Sequence, residues 1–272
     1  MLEHIKNHVY HIEILPPKQN SEKLEADLQG FAEKFNRVMK SNYCACITDN
    51  AMGLLSFQGH EIIEHLGLQV LPEQVILHLN TFHSKRNLDD ILTQSKHMGF
   101  KYILVVSGDG STRLPRLSPD DLEVSGTAAV TSVELLDYKR KNYPDFVLGV
   151  AFNPYEPLEE EFAKLDRKLA AGASFIITQP IIERNAVVEK LLMNYSNIPV
   201  IVEAWMSKKL HLLSDVVGYK IQEDAEFSPL STLENLHHWF PQCGVYLSLL
   251  GFKTQYHIIE GLWEKISKDG YK

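Results

Sequence analysis

Short polar runs close a series of apolar stretches along this 272-residue chain, and any chemistry it performs is expected there. Glu13 falls in the run His8-Val9-Tyr10-His11-Ile12-Glu13-Ile14-Leu15-Pro16-Pro17. Thr48-Asp49-Asn50, His78-Leu79-Asn80, Ser107-Gly108-Asp109, Asn153, Thr178-Gln179, Glu203 and Ser248 close later stretches. A carboxylate flanked by Ile12, Ile14 and Leu15 is costly to desolvate unless it is used or paired. The same desolvation raises its pKa, which is what a carboxylic acid needs to donate a proton near neutrality. A capping or salt-bridged surface glutamate is the plainer alternative for Glu13. Gln179 offers one acceptor and two donors to a flat amide-like edge, or is simply satisfied by nearby backbone. Asp109 stands in Gly-Asp-Gly, a frequent turn sequence.

These residues can act together only if the strands they close lie side by side. The alternation predicts strands over 8–15, 43–48, 74–80, 102–107, 146–152, 174–178, 198–204 and 244–249. Helices are expected over 21–40, 56–66, 87–98, 132–142, 158–171, 183–195 and 254–266, with Ser21 as a start signal and Gly67 and Gly99 as stops. Residues 207–241 read as helical, broken at Gly218 and Pro229. The strand at 102–107 is continuously apolar, as when both faces of a parallel strand are buried. Eight such repeats in one domain over residues 1–272 make a (β/α)8 TIM barrel, in which the strand carboxyl ends converge on one mouth. The loop 108–131, rich in Gly, Ser, Pro and Asp, is long enough to be a lid or substrate loop.

Composition is ordinary for a soluble globular chain, 44% hydrophobic and 23% charged. A net charge of -8 without a basic stripe argues against nucleic acid. No apolar run approaches the roughly 18 residues of a membrane span. Residues 1–10 carry charge and histidine where a signal peptide would have an apolar core, so a cytoplasmic location is expected. Three cysteines, an odd number, agree with reduced thiols. Cys44 and Cys46, two apart on one strand, share a face and read as core residues, with no metal site expected. Neither G-x-G-x-x-G nor G-x-x-x-x-G-K-[ST] occurs, so a nucleotide cofactor would have to lie across the barrel mouth. A Schiff-base lyase is disfavoured, because no lysine closes a strand.

The run Ile12-Glu13-Ile14-Leu15-Pro16-Pro17-Lys18 resembles the E-x-x-P-P-K signature of the methylenetetrahydrofolate reductase family. His78-Leu79-Asn80-Thr81 with Lys85-Arg86-Asn87 resembles its H-L-T and R-N segment, and Gly108-Asp109 its R-G-D. Lys168-Leu169-Ala170-Ala171-Gly172-Ala173-Ser174-Phe175-Ile176-Ile177-Thr178-Gln179 is similar to its K-x-x-A-G-A-x-x-x-x-T-Q block almost throughout. The resemblance implies reduction of 5,10-methylenetetrahydrofolate, hydride coming from NADH or NADPH through FAD or directly, within one-carbon metabolism and methionine biosynthesis. It makes Glu13 the acid that opens the bridged ring and Asp109 a fixed charge beside the resulting cation. Gln179 would hold the pterin, and Thr48, Asn50, His78, Ser107, Asn153 and Lys168 would line the cofactor. Homo-oligomers are common in the family, and a partner subunit is compatible with the resemblance.

The chain departs from the family where cofactor and folate would be gripped. Ser107 replaces an arginine, Phe152-Asn153-Pro154-Tyr155-Glu156-Pro157 stands for Y-P-E-x-H-P-E, and Ser248-Leu249-Leu250-Gly251-Phe252 stands for Y-T-L-N-R. FAD is therefore expected to bind weakly. A non-catalytic or partner-dependent folate-binding relative is the competing reading.

Overall fold

The computed structural model describes residues 9–110, 113–222 and 226–268. Eight parallel strands close into a barrel in sequence order: β1 (Tyr10–Ile14), β2 (Cys44–Ile47), β3 (Val75–Leu79), β4 (Tyr102–Val105), β5 (Val147–Phe152), β6 (Ala173–Pro180), β7 (Val200–Trp205) and β8 (Gly244–Ser248). The helices are α1 (Leu24–Lys40), α2 (Gly59–His65), α3 (Lys85–His97), α4 (Ser132–Asn142), α5 (Leu158–Ala170), α6 (Ala186–Asn194), α7 (Leu210–Val217), α8 (Pro229–Trp239) and α9 (Phe252–Lys268). This is the expected (β/α)8 TIM barrel. The predicted start of the first strand, His8, lies outside the described residues. Among the described residues no helix is long and apolar enough to cross a membrane.

The chain groups into two compact units, one of Ile14–Val150 with Lys164–Ser174, the other of Met1–Glu13, Ala151–Ala163 and Phe175–Lys272. In the first unit, β2 to β5 pair in parallel, with Ala45 opposite Val75, Ile76 opposite Tyr102 and Tyr102 opposite Val147. All four residues of β2 are buried, so Cys44 and Cys46 are core residues. α1 buries Phe31, Phe35 and Val38, a stripe spaced at four and three residues. It starts three residues after the predicted Ser21: that hydroxyl donates to Asp27 at 2.6 Å and accepts from the Lys23 amide at 3.2 Å, while Lys23, at the helix's own start, makes no side-chain cap. α3 starts two residues before the predicted Asn87, because Ser84 caps it by accepting from the Asn87 amide.

α2 is shorter than predicted. Its capping box is Gln58 with Glu61, and its first residue is a glycine for a packing reason. A Cβ on Gly59 would stand 2.7 Å from Ile47 Cγ2, so the helix can approach β2 this closely only without a side chain there. The loop 108–131 is largely packed: Leu114, Leu117, Leu122 and Val130 are buried, and the Leu117 amide donates to Thr81 O. Ser111, within it, lies outside the described residues.

In the second unit, β8 is flanked by β7 and β1. Tyr246 pairs with Glu203 on one side and His11 on the other, while Ser248 pairs with Trp205. The strand β6 runs two residues beyond its predicted end and shifts register against β7 between Ile177 and Pro180. α7 ends at Gly218 in the left-handed conformation, and α8 begins at Pro229 behind the cap Ser228, so both predicted breaks occur.

Candidate active site

Glu13 lies one residue from the carboxyl end of β1, on the face opposite its buried neighbours Ile12 and Ile14. Its Oε2 accepts a hydrogen bond from the Leu249 amide at 2.5 Å. Leu249 can aim that amide because it adopts φ 51°, a left-handed conformation rare for a leucine. Glu13 keeps some accessible surface, yet protein surrounds its carboxyl. Burial raises its pKa from 4.5 to about 7, against the smaller opposite pull of the Leu249 amide.

A second buried carboxyl, Glu203, lies on β7, the strand beside β8. The Ser248 hydroxyl donates to Ala204 O at 3.3 Å, one residue past Glu203 on β7. Burial pushes Glu203 up to about 8; Ser248 lowers it somewhat and the charge of Glu13 raises it further. The Glu203 amide is held by Thr178 Oγ1 at 3.1 Å. Trp205, two residues on and so on the same face, is buried with its indole Nε1 lacking a partner. Trp205 packs with Leu210, Leu213 and Val217, against which Tyr155, Ile182 and Leu249 also lie. The Tyr155 hydroxyl donates to Pro180 O at 2.7 Å. The unit therefore presents two weakly acidic carboxyls, an unsatisfied indole donor and apolar surface. Gln179, on the irregular segment of β6, is half-buried.

In the other unit, the polar ends of β2 and β3 are tied to one another. Asp49, which the sequence did not single out as a site residue, accepts from the Asn80 amide at 2.9 Å, His83 Nε2 at 2.7 Å, Asn50 Nδ2 at 3.0 Å and Gln58 Nε2 at 3.2 Å. Asn50 is thereby committed: its amide goes to Asp49 and its Oδ1 accepts from the Ser56 amide at 2.9 Å. Thr48 is buried with its hydroxyl unpartnered. Burial lowers the pKa of His78 to about 4, leaving a neutral imidazole. Asp109 is exposed and its Oδ2 accepts from the Met52 amide at 2.7 Å, which pins a residue at φ 58°. A Cβ on Gly110 would lie 2.3 Å from the Phe82 ring, so the Gly-Asp-Gly turn needs its second glycine.

The remaining cofactor candidates offer little to a dinucleotide. Ser107 is exposed, and its carbonyl accepts from Thr81 Oγ1 at 2.8 Å. The Asn153 side chain folds into its own turn, Oδ1 accepting from the Tyr155 amide at 3.0 Å. Lys168 lies in the last turn of α5, which leads into the amino end of β6, so it does not share the strand-end position of the others. Among these six positions the only cation is on a helix, whereas a diphosphate is held by charge-assisted contacts. Thr48, Asn50, His78, Ser107, Asn153 and Lys168 do not fit the diphosphate of FAD. The described residues also contain no cluster of three or more His, Cys, Asp or Glu suited to a metal ion.

An eight-stranded parallel barrel with acids at its strand carboxyl ends is the architecture of a large class of enzymes. A family model for methylenetetrahydrofolate reductase matches residues 1–214, and the chain belongs to that family. No curated protein matches the sequence. Among solved structures, an uncharacterized protein from Clostridium thermocellum that binds two copies of 5-methyl-5,6,7,8-tetrahydrofolic acid is similar, with TM-score 0.63 and 14% identity over 99% of this chain and 97% of that one. QR15, an aldolase, is similar with TM-score 0.51 and 12% identity over 95% of this chain and 99% of that one. At these identities the likeness is one of fold.

Proposed function

We propose that this protein reduces 5,10-methylenetetrahydrofolate to 5-methyltetrahydrofolate with hydride from NADH or NADPH. The observation that carries the reading is the Glu13 carboxyl, held by the Leu249 amide with a pKa near 7. The bridged ring must open before it can be reduced. A proton delivered to one bridge nitrogen breaks its bond to the bridge carbon and leaves an iminium cation on the other. Hydride then adds to that carbon, and the net change is one proton and one hydride. An acid with its pKa near the working pH suits the first step, and its conjugate carboxylate stabilises the cation that forms.

Family membership supports a folate-related role, and so does the Clostridium thermocellum barrel that binds a methyl-folate. The unpartnered Trp205 Nε1 and the half-buried Gln179 are the groups best suited to meet polar atoms of such a ligand. FAD would supply two-step hydride relay if bound. The poor fit of its expected contacts favours direct transfer from the nicotinamide, and no step above depends on FAD. The test is to mix the purified protein with 5,10-methylenetetrahydrofolate and NADH or NADPH and follow nicotinamide oxidation together with methyl-folate formation. Stoichiometric formation of both products supports the proposal. Tight folate binding without turnover, with FAD present or absent, replaces it by the non-catalytic reading.

A further inference from the structure

The loops that follow β2, β3 and β4 are joined into one rim at the carboxyl ends of those strands. Asp109 accepts from the Met52 amide at 2.7 Å, which ties the loop after β4 to the loop after β2. The glycines on either side of Asp109 both lie against the ring of Phe82, which follows β3. A Cβ on Gly108 would stand 3.0 Å from that ring and one on Gly110 2.3 Å. The Arg116 guanidinium lies over the same ring, 5.3 Å from its centroid. Arg116 is exposed, yet its backbone is anchored on both sides. Leu114 and Leu117 are buried, and the Leu117 amide donates at 3.0 Å to the carbonyl of Thr81, the residue before Phe82.

Among the described residues Arg116 has no carboxylate partner. Acids of its own loop turn elsewhere: Asp109 to the Met52 amide, and Asp121 to the Ser118 amide and hydroxyl at 2.7 and 2.8 Å. A guanidinium stacked on a ring and without an anion keeps its planar fork of N–H donors open and already oriented, so less freedom is lost when an oxyanion binds. The rim also carries apolar surface, because Met52 and its neighbours Leu54 and Leu55 are 51, 36 and 43% exposed. A ligand with an oxyanion and a flat ring system suits both features, and a nucleotide has both.

We propose that Arg116, held on the Phe82 ring, binds a phosphate of the nicotinamide dinucleotide that donates hydride. The ligand class, a phosphate on a flat ring system, follows from the rim; its being the hydride donor rests on the reductase reading. An arginine fork meets two phosphate oxygens with parallel hydrogen bonds, a contact that no side chain at the six expected cofactor positions can make. The chain thus carries, further along the loop after β4, the arginine that it lacks at Ser107.

The test is equilibrium binding of NADH, NADPH and ADP to the wild type, Arg116→Gln and Arg116→Lys, read by nicotinamide fluorescence and by calorimetry. Arg116→Gln should weaken binding by roughly 10- to 100-fold, the worth of one charge-assisted contact. Loss for all three ligands assigns Arg116 to the diphosphate, and loss for NADPH alone assigns it to the 2′-phosphate. Arg116→Lys keeps the charge without the fork and should recover only part of the affinity. Binding of 5-methyltetrahydrofolate should stay at its wild-type strength. The site is overturned if Arg116→Gln binds all three ligands as the wild type does, if the wild type binds none of them at millimolar concentration, or if the loss is confined to the folate. Dinucleotide binding that depends on Arg116 in a protein that reduces no folate would leave the site standing and overturn the reductase. Folate reduction with an unchanged KM for the nicotinamide in Arg116→Gln would do the reverse.

Discussion

Glu13 and Leu249 lie 236 positions apart in sequence and are joined by a 2.5 Å hydrogen bond from amide to carboxyl. The bond opposes the effect of burial without cancelling it, which leaves Glu13 a weak acid near neutrality. A glutamate of ordinary acidity would be ionised at pH 7 and would have no proton to give.

Replacing Glu13 by Gln preserves shape and removes the proton. Turnover of 5,10-methylenetetrahydrofolate is expected to fall by roughly 10²-fold or more, the usual contribution of a positioned general acid. Steady-state rates with either nicotinamide measure it, and a near-normal kcat in this variant would remove Glu13 from the mechanism.

Stability should carry the signature of the raised carboxyls. Glu13 and Glu203 bind protons in the folded state that the unfolded chain has already released above about pH 4.5. Their contribution is complete below that pH, falls as pH rises through about 7 and 8, and changes by at most ~1.4 kcal/mol per pH unit for each group, less where water reaches them. His78 and His237, both lowered to about 4 by burial, contribute the opposite slope below pH 6.5, and so does buried Lys139 where it titrates. The Glu13→Gln/Glu203→Gln double variant isolates the carboxyls. Urea unfolding at pH 5, 6.5 and 8 should show it gaining stability relative to wild type as pH rises, and a constant difference would contradict the assignment.

Asp49 is expected to matter through the fold. Asp49→Ala would leave the donors on Asn80, His83, Asn50 and Gln58 without their acceptor, at a cost of about 3 kcal/mol or more. The loss should appear as a fall in thermal midpoint with the Glu13 carboxyl titration unchanged. A variant as stable as wild type would mean that water or neighbours replace the carboxylate.

For FAD, equilibrium titration of the ligand-free protein should give a dissociation constant weaker than micromolar. Losing a charge-assisted contact costs about 1.5 to 3 kcal/mol, and several are missing here. Submicromolar binding would show that other residues hold the diphosphate and would restore the flavin-dependent route.

The strands were legible because each is an apolar run closed by polar residues, and the breaks at Gly218 and Pro229 because those residues have strong backbone preferences. Glu13 was legible for the same reason: a carboxylate inside an apolar run announces a cost. Glu203 stood in plain view as one more polar strand end, but the amide that holds Glu13 depends on β8 lying beside β1 and on the left-handed Leu249, neither of which has a local signature. Short polar side chains are readily captured by nearby backbone, and those of Asn50 and Asn153 both are, which the sequence does not announce. Helix starts slipped where another side chain made the cap, as at Ser84, Gln58 and Asn185.

The bond between Glu13 and Leu249 also sets the order in which the molecule matures. During synthesis the carboxyl emerges with the first strand, and the amide that steadies it emerges only with the eighth. Until then Glu13 has no such partner, and a ribosome-held chain would carry the acid without its tuning. The carboxyl thus gains its partner in one event, when the last strand docks beside the first, and any truncation short of Leu249 should leave Glu13 untuned even where most of the barrel survives.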